Sequence, residues 1–94
     1  MFFFAARVNL ALISLGVPPN ILNKGYKAGL LAFGKMSGNS PQEIALYAVA
    51  QLPVVYRINL NVGMIKGWIR RRKINPDAPE MQEALGELGL SGLL

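Results

Sequence analysis

The residues that could do chemistry are few, and nearly all of them are cations. Arg70, Arg71, Arg72 and Lys73 form one uninterrupted run, Trp68 and Ile69 stand immediately before it, and Arg57 sits alone in an apolar stretch. Arginine and lysine are permanently charged donors, so such a run attracts and orients anions rather than relaying protons. The usual proton carriers and metal ligands are missing, because the 94-residue chain has no cysteine and no histidine. Glu80, Glu83 and Glu87 recur at helical spacing and read as one solvated face, not as an acid–base pair. No glycine-rich phosphate loop and no nucleophile–base pair occurs. The expectation is a protein that is not an enzyme, with no cofactor, no metal and no small-molecule substrate.

What the cations could meet follows from how charge is distributed. Residues 1–73 carry all ten Lys and Arg against the single acid Glu43, and residues 74–94 carry four acids and no base. This divides the chain into an apolar, basic body (1–73) and an acidic tail (74–94) that could compete for the same cations. A tryptophan followed by cations matches a membrane interface, where the indole sits among headgroups and the charges face anionic lipid; an acidic protein subunit would meet the same side chains. Trp68, Arg70, Arg71, Arg72 and Lys73 are therefore the expected lipid or acidic-partner contact. Arg57, surrounded by Val54, Val55, Ile58 and Leu60, calls for a partner carboxylate in a buried ion pair.

Helices must position these groups. The start, MFFFAARVNLALISLGV, is apolar around Arg7 and ends at Pro18-Pro19, which reads as an interfacial or partner-buried helix rather than a secretory signal. It is acid-poor and bears an arginine, as mitochondrial presequences do. Asn20 can cap a second helix, with Leu30, Leu31 and Phe33 among its apolar contacts and Gly25, Gly29 and Gly34 interrupting it. Gly25-x-x-x-Gly29 has the spacing that lets helices approach closely. Ser37-Gly38-Asn39 reads as a turn, and Ser40-Pro41-Gln42-Glu43 is a capping box: the serine serves the amide of residue 43, proline fits the first helical position, and the glutamate reaches back.

Beyond it the body is apolar on nearly all sides, and Pro53 leaves two readings. One is a long third helix kinked at Pro53; over residues 44–69 it would extend about 39 Å, enough to cross a bilayer, although Arg57 near its middle disfavours a lone lipid-facing span. The other is a strand at 54–62, because Tyr56, Ile58, Leu60 and Val62 alternate with polar residues. The helix is preferred, since the alternation stops and no clear partner strand exists. In the tail, Asp77 with Glu80 is a second capping box for a short helix from about residue 78 to 88. The fold class is thus mainly α, with three to four helices, and α+β as the alternative.

The segment LISLGVPPNILNKG at 12–25 resembles the helix-turn-helix family, with Leu15-Gly16-Val17 at the turn and Leu22 six residues past the glycine. The resemblance implies a recognition helix after Pro19 that offers Asn20, Asn23, Lys24 and Lys27 to base edges, and nucleic acid as a partner.

Only 16% of residues are charged while 52% are apolar, which is a charge-poor surface for a free soluble chain of this size. The leading expectation is a non-catalytic accessory subunit of a membrane-associated assembly, such as an organellar energy-transducing complex at the mitochondrial inner membrane. Its partners would be other protein subunits and membrane lipid, with a small DNA-binding protein as the alternative.

Overall fold

Val8, Ala11, Leu12 and Leu15 recur three and four apart, and a helix brings them onto one buried stripe. In the computed structural model, which describes residues 2–33 and 38–93, they lie on α1 (Phe2–Ser14) and its C-terminal cap. Gly34 and Ser37 lie outside the described residues, as do the side chains of Leu30, Leu31 and Phe33. Gly16 ends α1 at φ +94°, donating to the Ile13 carbonyl while Val17 donates to that of Leu12, so the last free carbonyls are satisfied.

A 3-10 turn at Pro19–Ile21 leads into α2 (Leu22–Phe33). A side chain on Gly25 would meet Leu12 at 3.3 Å, and one on Gly29 would meet Val8 at 3.5 Å and Ile44 at 3.6 Å. The two glycines are thus where α2 lies against α1 and against α3 (Pro41–Gln51). This geometry predicts opposite signs for two substitutions at one site. Gly29→Ala makes ordinary contacts and gains helix propensity, so it should stabilise by roughly 0.5 kcal/mol, whereas Gly29→Val overpacks and should cost about 1–3 kcal/mol. Thermal melts of both variants check this; equal losses would mean that the helices are not held at glycine distance.

The helix α3 is the centre of the molecule, with Ile44 to Ala50 buried throughout and with α1, α2 and α5 (Pro79–Glu87) packed around it. Its capping box closes: the Ser40 hydroxyl accepts from the Glu43 amide at 3.1 Å, and the Glu43 carboxylate accepts from the Ser40 amide at 2.9 Å. Met81, Ala84 and Leu85 of α5 join the same core, so the acidic 74–94 segment packs against the basic body.

The class is α, with no strand among the described residues, but the helices are five, and neither reading of Pro53 survives. The long kinked helix fails because α3 stops at Gln51 and Leu52 turns extended (ψ 152°), the conformation a following proline ring imposes. The strand at 54–62 fails because Val54–Arg57 coils into a 3-10 turn capped by Pro53, and Asn61 then caps a separate helix, α4 (Val62–Arg70). The Asn61 side chain accepts from the Met64 amide at 3.0 Å. Asp77 and Glu80 form no capping box either: Pro79 takes the first helical position, Ala78 becomes the cap, and no side chain closes it. Among the described residues no helix is long and apolar enough to cross a membrane.

Candidate binding surfaces

Among the described residues, two surfaces combine exposed side chains with uncompensated cations. The first is the corner made by the Val54–Arg57 turn. Val54, Val55 and Ile58 are 71%, 62% and 74% exposed, although the neighbouring Tyr56 and Leu60 pack on the core. A proline-started 3-10 turn explains the pattern, because at three residues per turn this short segment can bury only one side. Beside it runs a shallow groove of about 330 Å³, lined by Val54, Arg57, Ile58, Leu60, Glu87 and Leu88.

Arg57, expected in a buried ion pair, is half-buried at this groove. Its Nη1 donates to the Glu87 carbonyl at 3.3 Å, its buried Nε has no acceptor, and among the described residues it has no ion pair. The corner is therefore an apolar ledge with an uncompensated cation in its wall. On the adjacent segment, Asn20 of the 3-10 turn and Asn23, Lys24 and Lys27 of α2 are all exposed, as a recognition helix would require. Lys24, however, is tied to the corner, donating to the Tyr56 hydroxyl at 3.3 Å and lying 5.2 Å from its ring centre.

The second surface is the cationic turn at the end of α4. Arg70 through Lys73 are all exposed, and among the described residues none has an ion pair. Trp68 does not share that surface: it is 6% exposed and belongs to the core, so the indole is not presented to a headgroup layer. The reason lies beyond the local pattern, because Ile74 is also buried and the chain must loop outward between these two anchors. Arg72 makes the loop by adopting φ +60°; the Arg72 amide donates to the Ile69 carbonyl and that of Lys73 to the Trp68 carbonyl. This is the same cap that glycine forms at residue 16, here built with an arginine at a cost of about 1 kcal/mol.

Comparison with known proteins finds no matching family model, no matching curated sequence and no matching solved structure. The chain must be read from its own geometry.

That geometry also shows where the single acid of residues 1–73 has gone. Glu43 is only 7% exposed, and its second carboxylate oxygen accepts from the Asn75 amide at 3.1 Å, while the Ser40 hydroxyl donates to the Lys73 carbonyl. Ser40 and Glu43 thus do more than cap α3, since they fasten the far side of the cationic turn to it. With its charge spent on backbone amides, Glu43 forms no ion pair among the described residues. Gly25 and Gly29 are internal packing positions and belong to neither surface.

Proposed function

We propose that the protein is a non-catalytic accessory subunit that docks onto a membrane-associated assembly through the Val54–Arg57 corner. The observation that carries this reading is the juxtaposition of three exposed aliphatic side chains with Arg57, whose guanidinium has no carboxylate partner among the described residues. Covering each of those side chains is worth roughly 1.5–3 kcal/mol, and a carboxylate from the partner would complete Arg57 with a charge-assisted hydrogen bond. The partner is thus a protein segment carrying apolar side chains and an acid. A second copy of this chain suits the ledge poorly, since it would bring another Arg57 and another +5 charge. The exposed cations of the α4 turn would face an anionic surface of the same assembly.

The test is fractionation of cells expressing the tagged chain. The wild type should stay with the membrane fraction through a high-salt wash, and Val54→Ser combined with Ile58→Ser should release it. Both positions are exposed, so the double variant should unfold within about 1 kcal/mol of the wild type. A soluble monomer that shifts duplex DNA in a salt-sensitive manner would replace this reading with the helix-turn-helix one.

A further inference from the structure

Gly67 lies in the middle of α4 and is buried, yet the atoms over its missing side chain are cationic. A Cβ at Gly67 would lie 3.3 Å from Nη2 of Arg71, 3.8 Å from Nη2 of Arg70 and 3.9 Å from Cζ of Arg71. Two guanidinium groups from consecutive residues therefore fold back over one glycine notch, both within 4 Å of a single point. Among the described residues neither has an ion pair. Helical spacing alone stacks residues three and four ahead over Gly67, and the two like charges held on this one face repel each other. An anion accepting from both forks would offset that repulsion.

We propose that Arg70 and Arg71 over Gly67 form a phosphate-binding site. A tetrahedral oxyanion offers oxygens to two forks at once, where a carboxylate is matched by one. The charge fits as well: Lys66 and residues 70–73 supply five cations without an acid between them, which suits a dianionic phosphomonoester or inorganic phosphate better than a monoanion. The site is separate from the docking corner, and replacing Val54 and Ile58 leaves it intact.

Gly67→Ala tests it without altering charge: the new methyl fills the notch and pushes the flexible end of Arg71, 3.3 Å away, off the position it shares with Arg70, while alanine suits a helix better than glycine. Inorganic phosphate is titrated into labelled protein at constant ionic strength, and the guanidinium Nε–H signals of Arg70 and Arg71 are followed. They should move saturably; Gly67→Ala and Arg71→Gln should each weaken binding at least about fivefold, whereas Arg7→Gln, which removes an equal charge elsewhere, should change it less than about twofold. A non-saturable shift, or one alike in all four proteins, overturns the site.

Vesicles separate the two sources of phosphate. Retention on phosphatidic acid over phosphatidylserine at matched surface charge, lost in Gly67→Ala, supports the site with a lipid headgroup as ligand. Saturable phosphate binding without that preference supports it with a small phosphate compound. Tight binding of a short DNA duplex by the wild type and Gly67→Ala alike overturns it in favour of undirected polyanion attraction.

Discussion

Gly16→Ala should lower the unfolding free energy by about 3 kcal/mol, a large share of what a domain of this size possesses. Two costs coincide there. The backbone sits at φ +94°, where a Cβ is penalised by about 1–2 kcal/mol. The Cβ would also lie 2.3 Å from the Asn59 carbonyl oxygen, a backbone atom that can yield only if residues 59–61 move away. Moving them breaks the 2.9 Å bond from the Asn61 amide to the Leu15 carbonyl, worth about 1 kcal/mol. Gly89 supplies the control, because it caps α5 at φ +70° and has nothing within 4 Å of its Cβ position. Gly89→Ala should therefore cost only the conformational part, roughly 1 kcal/mol. Urea unfolding curves of the two variants measure the difference, provided their slopes agree. Equal losses would mean that the Asn59 contact contributes nothing and that residues 59–61 are not held by the end of α1.

The same three caps show what could be read from the residues and what could not. The α1 and α5 ends carry glycine at 16 and 89, a signal that local chemistry requires and that a reader can use. The α4 end carries Arg72 in that conformation, so nothing in the residue type marks the turn, and Arg70 to Lys73 look like a plain helical extension. Once the turn is missed, Trp68 looks like an interfacial anchor, because only the return of the chain to bury Ile74 makes the indole part of the core. The proline at 53 misled for a related reason. Alternation of apolar and polar residues does not distinguish a strand from a 3-10 turn over so few positions, and among the described residues there is no strand for it to pair with. By contrast, helical class and the Ser40–Glu43 box were legible because both depend on residues three or four apart. The Gly67 notch had no sequence signal, since a lone glycine inside a helix acquires meaning only when the neighbouring side chains are placed.

Glu43→Ala should cost about 2–3 kcal/mol, more than an ordinary lost cap, because its carboxylate joins two segments thirty-two residues apart in sequence. One oxygen serves the Ser40 amide and the other the Asn75 amide, and both bonds are charge-assisted at a site only partly open to water. Water can replace some of what is removed, and the desolvation cost of holding a buried carboxylate disappears with it, which keeps the loss below the sum of two full charged hydrogen bonds. Glu43→Gln should fall between, since its amide oxygen can serve one of the two backbone donors while its NH₂ group faces the other. Hydrogen exchange locates the effect: the Ser40 and Asn75 amides should lose protection first, ahead of amides in the middle of α3. Unfastening residues 73–75 also frees the far side of the cationic turn, so Glu43→Ala should weaken phosphate binding even though it raises the net positive charge. If binding instead tightened with the added charge, the turn would be a diffuse cationic patch, and the anchoring by Ser40 and Glu43 would serve stability alone.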